Sequence, residues 1–289
     1  MRTNPYLAQP GFSLIELMIA SALSLVLVAG VATVYMSSRQ TYNTRDEMSA
    51  MQENARNAIN ALTKHLEHAG YSTPRHLPLD NAFYVDGDPT PVAKNCGGGA
   101  NSIALADPND LRHTLDDDTP AGTGDTIGVV FFADDSLAND CGSVATPASC
   151  QAQEAPNPEY SRVYNTFYIA TPTDEAVPNL FCAGSRGTQP IAVAEGVEAM
   201  QFAYGLDEDG NGTVDTYLDA TSVSTANRWS EVRAIKAALL MRSREPAFDV
   251  AESKDYTLLG TTFNRNDRYQ HTVHTAVIYL RNLAVNQGA

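Results

Sequence analysis

The chain has 289 residues, 43% of them hydrophobic, enough for one large domain or two modest ones around a genuine core. Nineteen basic residues stand against 34 acidic ones, a formal net charge of −15 with only four lysines, so the surface repels phosphate backbones and direct nucleic acid binding is not expected. No CxxC pair and no histidine at finger-like spacing accompanies the four cysteines, which argues against a zinc site.

The first element in the chain is its most informative. Residues 17 to 38 carry no charge, and 22 residues as a helix reach about 33 Å, enough to cross a bilayer core. The apolar run passes directly into an amphipathic pattern with no small-residue cleavage site behind it, unlike a secretory signal, so the helix is expected to be retained. Before it comes MRTNPYLAQPG, whose single charge, Arg2, places this end in the cytoplasm and sends the remainder outward. Glu16 lies at the cytoplasmic edge of the span. An ionised carboxylate there is costly unless it reaches the head groups or finds a partner.

Gly11, then Phe12, then SLIELMIA with Glu16 as the fifth residue after the glycine resembles the class III signal of type IV pilins and type II secretion pseudopilins. The resemblance implies that a prepilin peptidase removes residues 1–11 and methylates the amine of Phe12, which leaves a side-chain balance of 18 basic to 34 acidic residues. It also implies a role for Glu16: a carboxylate paired with the freed amine between neighbouring subunits, each charge costly alone in the membrane and favourable together.

Beyond Ser38 the apolar positions form a stripe, Met48, Met51, Ala55, Ile59, Leu62, Leu66 and Ala69, spaced by three and four. This predicts one helix over residues 12–70, membrane span plus amphipathic half, stopped at Gly70. The stripe reads as core packing. His65 and His68 in its last turn suit the helix dipole and need no metal.

Residues 72–124 are irregular, with PRHLPLD, DGDPTP and CGGG as punctuation and NSIALA as a short strand. Clearer strands follow at residues 125–133, 161–170, 191–207, 232–243 and 271–282. The expected fold class is therefore α+β, a long N-terminal helix packed on an antiparallel β-sheet head spanning 71–289. Cys96, Cys141, Cys150 and Cys182 lie in loop-like surroundings and fit two disulfides made outside the cytoplasm; three pairings are possible, and the short loop between them favours Cys141 with Cys150.

The last three segments extend the resemblance. A strand ending in YG and an acidic glycine loop, a Trp-containing turn leading to a strand ending in RSREP, and a closing strand ending in LRN look like the PilW group of minor pilins, whose counterpart in type II secretion is the J-type pseudopilin. Membership would imply a pilin-like fold and an inner-membrane protein with a periplasmic head that later enters the pilus. The implied partners are the major pilin, other minor pilins at the tip, the assembly platform and a tip adhesin, with a part in twitching motility and cell adhesion. A monomeric membrane-anchored binding module or hydrolase is the alternative of another class, but GxSxG, HExxH, P-loop and GxGxxG motifs are all missing from the sequence.

Residues 207–215, DEDGNGTVD, place Asp207, Asp209, Asn211 and Asp215 at positions 1, 3, 5 and 9 of an EF-hand-type loop, with Gly212 at the turn and the Thr213 carbonyl at position 7. Calcium accepts such crowded oxygen ligation. Position 12 is Leu218, where an EF-hand has a bidentate glutamate, and Asp219 follows one residue later. An ordinary hairpin turn would favour the same residue types for local backbone reasons. GSRG at 184–187 and the three aspartates at 116–118 read as solvated loops.

Overall fold

A computed structural model describes residues 13–72, 82–88, 111–151, 153, 158–187 and 189–283. Gly11, Phe12, Cys96 and the NSIALA segment lie outside them. The chain divides into two units, Met1–Met48 and Ser49–Ala289.

Helix α1, Leu14–Leu66, is 53 residues long. No proline interrupts it, and its alanines, leucines and methionines are strong helix formers. In the first unit every large apolar side chain from Leu14 to Met36 is at least 56% exposed. Helix α1 contains an 18-residue window with a mean hydropathy of 2.4 and is long and apolar enough to cross a membrane. The hydroxyls within it bond back to their own helix: Ser21 donates to the Met18 carbonyl, Ser24 to Ala20 and Thr33 to Gly30. Hydrocarbon would demand that satisfaction, because it offers no water.

In the second unit the same helix is a core element. Met51, Ala55, Ala58, Leu62, Leu66 and Ala69 are at most 3% exposed, and Ile59 packs beside them. The periodic stripe thus reaches the core as read, except for Met48, which is 40% exposed.

The head has two four-stranded sheets where a single sheet was expected. The first is a meander of β1 (Ile127–Phe132), β2 (Arg162–Ala170), β3 (Asn179–Gly184) and β4 (Ile191–Glu195), in that order. The second contains β5 (Val197–Leu206), β6 (Thr216–Leu218), β7 (Val232–Arg242) and β10 (His271–Tyr279), ordered β10-β7-β5-β6. Between β7 and β10 the chain forms a hairpin of β8 (Glu252–Leu258) and β9 (Thr261–Asp267). All these strand pairs are antiparallel.

The run at 191–207, which reads as one strand, is split between the sheets at Gly196. Its φ is +73°, its N–H donates to the Pro178 carbonyl, and its own carbonyl accepts from Arg242 N. A Cβ at this position would stand 2.8 Å from the Arg242 carbonyl oxygen, so glycine is what lets the chain leave β4 for β5 here.

One core joins helix and sheets: Leu62 and Leu66 share it with Ile127, Phe167, Leu180, Met200 and Leu239. On the opposite face of β5 and β7, Leu258 and Phe263 of the β8–β9 hairpin cover Ala199, Ala238 and Leu240. Strand β7 is therefore buried on both sides, which explains its nearly unbroken apolar run.

Three sequence readings are corrected. Cys141 is bonded to Cys182, not to Cys150; their Cα atoms are 6.2 Å apart. Cys150 is itself in a disulfide. The reason is tertiary: Cys182 lies on β3, and Cys141 N donates to the Asn165 side chain on β2 at 2.9 Å, which lays the preceding loop over the first sheet. The GSRG turn is not solvated either. Ser185 and Arg186 are buried, Asp140 accepts the Arg186 and Gly187 amides at 2.9 Å each, and the Arg186 guanidinium donates to the Tyr160 and Arg162 carbonyls. Finally, His65 is not a charged helix-end residue. Burial, with smaller contributions from Lys64 and His68, lowers its pKa to about 4, and burial lowers that of His68 as well, so packing against Phe167 and Phe131 outweighs the dipole.

Candidate functional site

Two places in the molecule hold the residues singled out by sequence. The first is the start of α1. Glu16 is exposed in the first helical turn, and its Oε2 accepts the Ser13 backbone N–H at 3.2 Å. This contact suits a carboxylate at a helix N-terminus, where unpaired amides carry partial positive charge. From Leu17 to Ser38 no other charge follows on the helix.

The second place is the loop joining β5 to β6. The two strands pair through Leu206 with Thr216, Gly205 with Tyr217 and Tyr204 with Leu218, so the acidic loop closes a β-hairpin, with strands on both sides where an EF-hand has helices. Asp207 N donates to the Glu231 carbonyl and Asp215 N to the Leu206 carbonyl, which fixes both ends of the loop. Inside it, Asp209 accepts the Asn211 amide, Asn211 accepts the Thr213 amide, Asp215 accepts the Glu208 amide, and Asp207 Oδ2 accepts the Gly212 amide at 3.0 Å. Gly212 has φ +86° and a clear space around it, as the sharp turn requires.

Carboxylate oxygens of Asp207, Asp209 and Asp215 come within 4.8 Å of one another. Asp209 and Asp215 are exposed, whereas Asp207 is only 4% exposed and faces the Arg233 guanidinium, with Nε 3.5 Å from Oδ2. Asp219 does not serve this loop. It caps α2 (Ala220–Ala226), accepting from Ser222 N and Ser222 Oγ.

Sequence reading missed Arg233, which is 26 positions from Asp207 and carries no motif of its own. It also missed a second cluster, in which His271 Nε2 lies 2.7 Å from Glu198 and Arg265 Nε 3.4 Å from it. Glu198 is 73 residues from His271 in the chain, so no local spacing reports the pair. Burial alone would raise the Glu198 pKa, but the His271 hydrogen bond and the neighbouring cations hold it below the usual range. With those cations in place the cluster reads as an ion-pair network beneath the β8–β9 hairpin.

Residues 7–32 match the family described as Prokaryotic N-terminal methylation motif, and residues 166–282 match that described as Type IV Pilus-assembly protein W. These two matches support a PilW-like type IV pilin. The first match contains Gly11, Phe12 and Glu16; the second runs from within β2 to three residues past β10 and includes the acidic loop. A solved type IV-like pilin from Thermus thermophilus is similar at 14% identity and a TM-score of 0.38, over 83% of this chain and 98% of that one. No curated protein matches the chain. The two family matches point to a structural component of the type IV pilus system. Its methylation motif and apolar helix fit a membrane-anchored pilin.

Proposed function

We propose that this pilin primes or caps type IV pili from the inner membrane, assembling through its N-terminal helix with the major pilin and other minor pilins at the filament tip. After leader removal by prepilin peptidase, the head would stand in the periplasm until the subunit enters the filament. The observation that carries this reading is Glu16, a lone carboxylate opening a helix whose next 22 residues hold no charge. At the centre of a bilayer an unpaired carboxylate costs about 3 kcal/mol, less near the head groups, and a positive amine on an adjoining subunit removes that cost while fixing register. Packing with other helices of the same kind would bring such an amine to Glu16.

The test is a strain lacking the gene, scored for surface pili by electron microscopy and, in parallel, for export of a type II secretion substrate. Loss of pili with secretion intact, reversed by the wild-type gene, is the expected result. Persistent pili with failed secretion would assign the chain instead as a J-type pseudopilin.

A further inference from the structure

We propose that the β5–β6 loop is a calcium site, with Asp207, Asp209, Asn211 and Asp215 as side-chain ligands and the Thr213 carbonyl as a backbone ligand. The acidic spacing alone would not carry this. The observation that does is Asp207. Its carboxylate is buried, with 2% of the side chain exposed; Oδ2 takes the Gly212 amide and faces Arg233, but Oδ1 is fully buried with no hydrogen-bond partner among the described residues. A buried carboxylate oxygen left without a hydrogen-bond partner is destabilising, and a cation in the loop is the natural partner for it.

The arrangement fits the ion in size and charge. Calcium–oxygen distances of about 2.4 Å put opposite ligands about 4.8 Å apart, and the three carboxylates present oxygens within 4.8 Å of one another. Three carboxylates less the Arg233 guanidinium leave two negative charges, matched by one divalent cation. Ligands of this type are all hard oxygens, which select calcium or magnesium over softer metals. Magnesium demands a tighter octahedron; a hairpin loop offering five protein oxygens, with water in place of the absent position-12 glutamate, suits calcium.

The ion would fasten a three-residue strand. β6 is the edge of the second sheet and pairs with β5 through only Thr216, Tyr217 and Leu218, so the loop ahead of it decides whether that edge is ordered. Binding in the range typical of extracellular modules, about 10⁻⁴ to 10⁻³ M, would make the edge sensitive to calcium outside the cytoplasm.

The experiment uses the full chain in detergent micelles, stripped with EDTA, and follows melting by Trp229 fluorescence while calcium chloride or magnesium chloride is added. Ten millimolar calcium is expected to raise Tm by about 5 °C and magnesium by clearly less. The double variant D209N/D215N alters two exposed side chains with little change in shape, so it should fold, keep its metal-free Tm within about 2 °C or exceed it, and lose the calcium shift. No shift in the wild type, an equal shift with magnesium, or a shift kept by the double variant would each overturn the proposal.

Discussion

Cys141 and Cys182 are joined across 41 positions of sequence, binding the loop that follows β1 to the third strand of the first sheet. A cross-link closing a loop of that length restricts the unfolded chain by about 4 kcal/mol in the chain-entropy account. Replacing both cysteines by serine should therefore lower head stability by about 2 to 4 kcal/mol under oxidising conditions. Non-reducing peptide mapping should recover Cys141 with Cys182, and a Cys141–Cys150 peptide would contradict the assignment.

A second prediction concerns acid. His65 is held neutral in the folded state down to about pH 4, whereas in the unfolded chain it takes a proton near its ordinary 6.5. The unfolded state then binds the extra proton between these values, so the His65 contribution is fully present above pH 6.5 and is lost as pH falls toward 4. The slope is at most about 1.4 kcal/mol per pH unit, and less because the ring is partly exposed. Asp125, which burial pushes up from 3.8 to about 8, works in the opposite direction throughout this range. The clean readout is therefore the difference between wild type and His65→Phe: melting at pH 7, 5.5 and 4.5 should show the variant gaining relative stability with acid. A constant difference across the three would refute the linkage.

Leu62 and Leu25 belong to one helix and should respond differently. Leu62 is fully buried in the head core and Leu25 is 74% exposed. Leu62→Ala should destabilise the head by about 2 to 5 kcal/mol. Leu25→Ala should leave head unfolding within about 0.5 kcal/mol of wild type. Equal effects in a denaturant titration would mean that the helix does not divide its roles between membrane and core.

Local patterns were readable in the sequence and long-range pairings were not. The apolar spacing of Met51, Ala55, Leu62 and Leu66 foretold their burial, because a 3.6-residue period reports a helix face directly. β7 and β10 were likewise evident from β-branched and apolar runs. By contrast β8 and β9, ESKDYTL and TTFNRND, hide only Leu258, Phe263 and Arg265 below 10% exposure, too weak a pattern to separate from loop. The Cys141 pairing, the Arg233 neighbour of Asp207 and the His271 contact with Glu198 all depend on sheet order, which no window of sequence contains. The acidic loop shows both sides: its Asp and Asn spacing was local and visible, but the orphaned Oδ1 on which the proposed calcium site rests was not.

Asp219 supplies a fourth prediction, since it could be mistaken for the missing position-12 ligand. It caps α2 through Ser222, so Asp219→Ala should cost about 1 kcal/mol of stability. Calcium titration of this variant should match wild type; a large loss of the calcium-dependent shift would return Asp219 to the metal shell.

The central claim, assembly through Glu16, is tested most directly by complementing the deletion strain with Glu16→Val and measuring the variant in sheared pili against its amount in membranes. Valine keeps the helix apolar, so membrane levels should equal wild type while filament content falls at least tenfold and pili stay scarce. Variant subunits entering pili at the wild-type ratio would contradict the charge-pair account.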